Sequence, residues 1–205
     1  MTRRHLAAAV ACVSAGILVL GCGHADETPD DAAPPRPSPS TTAGRAPEPL
    51  PAGRTGTPHG GIRSPDSVDQ ADPTAVSRAA LIVMFSYDTA LDTSHNDAAR
   101  RAADAGWCTP EYAAELRAAS AYSGPGAEWT RWAQHRAYGV PKLTAVREAG
   151  QPRDTATNAY RQWIVSVTPT GRDKWRGRPH VTTAYAHLTR PATGKPWRLA
   201  TVTIH

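Results

Sequence analysis

Asp88 and Asp92, four residues apart and followed by Arg100 and Arg101, are the acidic residues of this chain best spaced to do chemistry. A carboxylate serves as a general base when burial and hydrogen bonding bring its pKa near the working pH. On a helical wheel Asp88 sits at the edge of the apolar stripe and Asp92 points nearly opposite to its centre, so Asp88 is the better catalytic candidate, with His135 and Tyr160 as helpers. The plainer alternative pairs Asp88 and Asp92 with Arg100 or Arg101, fixing the elbow between two helices. That alternative is favoured, and the chain is expected to act by binding rather than by catalysis.

The other reactive side chains are scattered. His24, His59, His95, His135, His180, His187 and His205 form no helix-spaced pair with a nearby carboxylate, and Cys108 has no cysteine at ligand spacing, so no metal site is expected. No glycine-rich phosphate loop follows a strand and no serine sits in a nucleophile elbow, so no cofactor is expected either. Cys108 precedes the helix start Thr109-Pro110-Glu111 and reads as a buried, inert thiol. Charge concentrates in the run from Gly171 to His180, where Arg172, Lys174, Arg176 and Arg178 surround Trp175. As a hairpin tip these five residues are candidates to bind an anionic surface such as lipid headgroups, wall polymers or single-stranded DNA. An ordinary solvated loop is the competing reading.

The N-terminus carries a different signal. Arg3 and Arg4 precede an apolar run from Leu6 to Leu20 that ends in Val19-Leu20-Gly21-Cys22. The run is shorter than the roughly 20 residues a spanning helix needs. This stretch resembles a bacterial lipoprotein signal. The resemblance implies cleavage before Cys22, acylation of its sulfur with palmitate-type chains, and a protein anchored on the extracytoplasmic face of the cell membrane. Two acyl chains hold such an anchor where one would not. Thr2-Arg3-Arg4-His5-Leu6 also partly resembles a twin-arginine export signal, although two ordinary leader charges are the favoured explanation. With Cys12 lost and Cys22 acylated, only Cys108 of the three cysteines remains, so no intramolecular disulfide is expected.

Residues 1–21 are thus read as the signal peptide and 22–71 as a disordered stalk, crowded with Pro, Ser, Thr and Gly and unable to bury a core. Such a spacer reaches roughly 40 to 150 Å. Residues 72–205 are sized for one domain. Asp72 caps and Pro73 opens a first helix, whose apolar residues from Val76 through Leu91 recur at helical spacing. Ser94 and Asp97 read as a capping box for a second helix closed by Gly106, and a third runs from Pro110 to about Ala121 before Gly124-Pro125-Gly126. Four strands follow, over 138–148, 157–168, 181–190 and 197–204, each rich in β-branched and aromatic residues. The expected class is α+β, with three N-terminal helices on one face of a curved antiparallel sheet whose other face stays wet.

Three helices followed by a meander ending in Trp197-Arg198-Leu199-Ala200-Thr201-Val202 resemble the nuclear transport factor 2-like cone fold. The stretch Tyr87-Asp88-Thr89-Ala90-Leu91-Asp92-Thr93, with Arg100-Arg101-Ala102-Ala103 and the Trp129 and Trp132 pair, is similar to membrane-tethered actinobacterial proteins of conjugation or secretion loci. Those in turn resemble type IV secretion assembly subunits. The resemblance implies a protein-binding module within a membrane complex, accessory to conjugation or secretion. Within the cone family it also implies an alternative, a small-molecule or hydrolase-like and isomerase-like pocket at Asp88. Trp129 and Trp132 are expected to plug the cone mouth.

Overall fold

The computed structural model describes residues 53–119, 126–147 and 149–205. The signal segment, Cys22 and the stalk up to residue 52 lie outside the described residues. The fold is α+β, with four α-helices and two antiparallel sheets among the described residues.

Helix α1 (Pro73–Phe85) starts as its sequence directs. Asp72 is extended and accepts the Thr74 N–H at 2.8 Å, and Pro73 occupies the first turn, where its missing N–H costs nothing. The helix buries Val76, Ala80, Leu81 and Val83. It stops at Phe85, six residues short of the Leu91 expected from apolar spacing. Ser86 turns extended, and Tyr87–Asp88 becomes a two-residue strand β1. β1 pairs with β2 (Tyr138–Gly139), so backbone pairing overrides a spacing that a helix could also have used.

Helix α2 (His95–Asp104) carries the Ser94–Asp97 capping box and ends at Gly106, whose φ of 82° is a left-handed conformation that glycine adopts without strain. Helix α3 (Pro110–Ala118) is capped by Thr109, which accepts the Tyr112 N–H at 3.3 Å. Helix α4 (Gly126–Gln134) is a fourth helix, where only three were expected. Gly126 lies at its start rather than after a helix end, and Trp129 and Trp132, three apart, fall on its buried side.

The second sheet has the order β3-β4-β5-β6, formed by Lys142–Val146, Asn158–Val167, His180–Thr189 and Arg198–Ile204. The single strand expected over 138–148 is divided at Val140-Pro141, because proline has no N–H for a ladder. β2 therefore serves the small sheet and β3 the large one. Along β4 the side chains of Ala159, Trp163, Val165 and Val167 are buried on the face that α1 covers. Ala184, Ala186 and Leu188 of β5 join them. The Trp163 indole N–H donates to Ser77 Oγ at 3.1 Å, a buried polar pin between β4 and α1. Cys108 bridges to Leu199, tying the α2–α3 turn to the β6 edge.

Residues 53–71, assigned to the stalk on composition, belong to the folded unit. Arg54 N–H donates to Leu91 O at 2.7 Å, the Trp107 indole N–H donates to Arg63 O at 2.8 Å, and the Trp197 indole N–H donates to Ala71 O at 3.1 Å. Two buried tryptophans thereby spend their only side-chain polar atom on this strap, which is why a segment poor in apolar residues is held.

Candidate ligand-binding cleft

Tyr87 and Asp88 are successive residues of an extended strand, so their side chains leave on opposite sides. Both are buried, and each side builds a different environment.

On the Asp88 side all is charge pairing. The carboxylate accepts a two-pronged Arg172 guanidinium at 3.0 and 2.7 Å, the Ala90 N–H at 3.1 Å and the His59 N–H at 3.0 Å. Burial opposes its ionisation, but the Arg172 bond and the two backbone N–H groups outweigh burial and hold the carboxyl below the usual carboxylate range. Asp92 accepts from the Asp88 N–H at 2.7 Å and from Arg101, whose guanidinium also reaches Ser86 O at 3.1 Å. Asp97 pairs with Arg100 and accepts the Thr93 N–H at 2.7 Å. The Asp92 to Arg101 pairing expected from sequence is present, whereas Asp88 takes Arg172, 84 positions away, in place of Arg100 or Arg101.

A general base needs an open lone pair aimed at a substrate proton. Both oxygens of Asp88 are occupied. Its two expected helpers are engaged elsewhere. His135 Nδ1 meets Asp173 at 2.7 Å, and Tyr160 lies on the other face of the large sheet, its ring stacked on His187 at 4.6 Å.

The basic tip is also reorganised. Arg172 is spent on Asp88, and Trp175 packs against the core with its ring stacked on His135 at 4.3 Å. Gly177 makes this packing fit, since a Cβ there would come within 2.8 Å of the Trp175 ring. Of the five residues expected at an anion-binding tip, Arg172, Lys174, Arg176 and Arg178 are exposed, with the Arg172 guanidinium turned to Asp88. Cys108 is buried, and burial pushes its thiol up to about 12, leaving it protonated and unreactive.

On the Tyr87 side lies an apolar cleft of about 410 Å³. Its walls come from the end of α1, one face each of α2 and α3, Trp132 of α4, and the inner faces of β4, β5 and β6. One end is aromatic and polar. There the Tyr87 ring stacks on Trp132 at 5.0 Å and meets His95 edge-on at 5.4 Å, and His180 contacts Trp132 at 5.5 Å. Leu116, Val202 and Ile204 add aliphatic lining, with the Tyr112 phenol beside Val202. His180 Nε2 meets Glu128 at 2.8 Å, with both side chains more than half exposed.

Two features set this cleft apart from ordinary core. The Tyr87 hydroxyl is buried with no hydrogen-bond partner, although buried polar groups are nearly always satisfied. Burial, then the Glu128 charge, drives the phenol far up in pKa, so it stays protonated. Burial, then the neighbouring His180, lowers His95 from its ordinary 6.5 and favours a neutral imidazole. Gly139 makes the arrangement fit, because a Cβ there would fall 2.5 Å from Val167 Cγ1 and 2.6 Å from Tyr87 Cε1.

Sequence reasoning placed Tyr87 in a helix stripe and gave His95 and Gly139 no role. The one signal pointing here was the Trp129 and Trp132 pair, read as a plug and found in part as a wall. Among the described residues no group of three or more His, Cys, Asp or Glu side chains could hold a metal ion. Compared with known protein families, curated proteins and solved structures, the chain matches none.

Proposed function

We propose that this chain is a lipid-anchored, extracytoplasmic binding protein whose domain holds a small apolar molecule in the cleft beside Tyr87. The carrying observation is the cleft itself, apolar, largely preformed, and furnished with a few convergent polar groups that include an unsatisfied donor. The occupied oxygens of Asp88 argue for binding over general-base catalysis. The anchor at Cys22 and the extracytoplasmic setting rest on the N-terminal sequence alone.

The test uses N-phenyl-1-naphthylamine, an uncharged dye that brightens in apolar surroundings. The anchored chain in phosphatidylcholine nanodiscs should enhance its emission above empty nanodiscs, and Ala99→Trp, which fills the cleft, should abolish the enhancement. Equal emission with parent and variant would remove this reading.

One observation favours a second reading as a protein-binding or assembly module. On the outer face of the large sheet Ile164, Val181 and Tyr185 are exposed by 39%, 63% and 38%, with Ile164 of β4 opposite Thr183 and so diagonal to Val181 and Tyr185 of β5. A partner protein in a membrane complex would cover that face. A conjugation or secretion role, and the cone-fold kinship behind it, rest on the sequence resemblance. Crosslinking in the native membrane followed by mass spectrometry tests it, with transfer-machine subunits as the supporting result and none recovered as the contrary one.

A further inference from the structure

Resting on the cleft reading above, we infer that the ligand is an uncharged, elongated, largely apolar molecule of about a dozen heavy atoms with a hydrogen-bond acceptor at one end, held by the Tyr87 hydroxyl.

Size comes first. At roughly 30 Å³ for each water-sized group, a cleft of 410 Å³ takes a molecule on the order of a dozen heavy atoms. Shape follows from the sheet. The floor crosses from Val165 and Val167 on β4 to Val202 and Ile204 on β6, two strand spacings of about 4.8 Å each. A molecule filling that span is elongated.

Charge is excluded by the lining. Among the described residues no Lys, Arg, Asp or Glu side chain borders the cleft. Glu128 is engaged with His180, Asp92 with Arg101, and His95 is favoured neutral by burial. A carboxylate, phosphate or ammonium drawn inside would find no free counter-charge and would lose its hydration uncompensated. Polarity is wanted at one end, where the Tyr87 ring packs with Trp132 and His95 and its unsatisfied hydroxyl is carried on the ring carbon that faces Gly139. That hydroxyl is protonated and can donate, and an oxygen acceptor such as a carbonyl or ether takes the bond it offers. It is covered by its neighbours, and the acceptor reaches it through a side-chain adjustment of the kind common on binding. Leu116, Val202 and Ile204 then receive the hydrocarbon end.

The experiment titrates the full anchored chain in phosphatidylcholine nanodiscs with decan-2-one, decanoate and decylammonium at pH 7.5. Tryptophan fluorescence is the readout, since Trp132 lines the cleft. Decan-2-one should bind, with both ions at least tenfold weaker. Tyr87→Phe should weaken decan-2-one about tenfold, the worth of one hydrogen bond to a desolvated donor. The same variant should unfold at a temperature no lower than the parent, because removing an unsatisfied donor costs the free protein nothing, so loss of binding cannot be blamed on misfolding. Equal affinity for decanoate, or unchanged affinity in Tyr87→Phe, would overturn the ligand class while leaving the dye result standing. No binding by any probe, together with no dye enhancement, would remove both.

Discussion

At the scale of single residues, the corner around β1 separates two kinds of buried polarity. Asp88 is buried and fully bonded, whereas Tyr87 beside it is buried and lacks a partner. Satisfied groups build the frame, and the unsatisfied one is free for a ligand. The same residues set a pH profile. Asp88, Asp97 and Asp154 have folded pKa values below their ordinary 3.8, and His95 lies below its ordinary 6.5. In each case the unfolded chain binds the proton more readily, so stability is full above the ordinary value and falls as pH drops towards the folded one. Groups facing His95 are His180, which lowers it, and Asp92 and Glu128, which raise it. Denaturant unfolding from pH 8 to pH 2 should therefore show two declines, one beginning near 6.5 and a second below about 3.8. Substituting His95→Gln should erase the first and keep the second. A single decline below pH 4 in the parent would show that His95 is not held neutral.

At the scale of elements, the fold hangs on pairings between distant segments. β1 exists because Tyr138–Gly139 pairs with Tyr87–Asp88, and β2 lies where Gly139 can pass against the Tyr87 ring. Gly139→Ala should then cost about 1 to 3 kcal/mol, the usual penalty for overpacking against a rigid ring. Thermal unfolding would register this as a fall of several degrees, and an unchanged midpoint would mean that the Tyr87 ring has room to shift. What could be read in the sequence divides along the same line. The start of α1 at Asp72-Pro73, the capping box at Ser94 and Asp97, and three of the four strand segments are local patterns, and they form as written. The end of α1, the two-residue strand and the fork from Arg172 to Asp88 depend on residues about 50 to 84 positions away, which no local period encodes. Tyr87 therefore looked like one more apolar helix position, and the cleft that it lines had no sequence signature. The tip from Gly171 to His180 was legible as charge, but not as a loop folded back by Arg172 and Trp175.

At the scale of the whole molecule, the described chain is a frame of helices and sheet with a preformed cleft on one side and an outer sheet face left open on the other. Among the described residues no helix is long and apolar enough to cross a membrane. The strap that begins at Gly53 is held to the domain by Asp97 and Asp88. A domain with such a cleft is suited to capturing a small apolar molecule and holding it out of water. The most direct measurement is to purify the anchored parent and Ala99→Trp from the native membrane and compare their solvent extracts by mass spectrometry. The account predicts an uncharged molecule of about a dozen heavy atoms, near one per chain, with the parent and not with the variant. Identical extracts containing only bulk membrane lipid would contradict it.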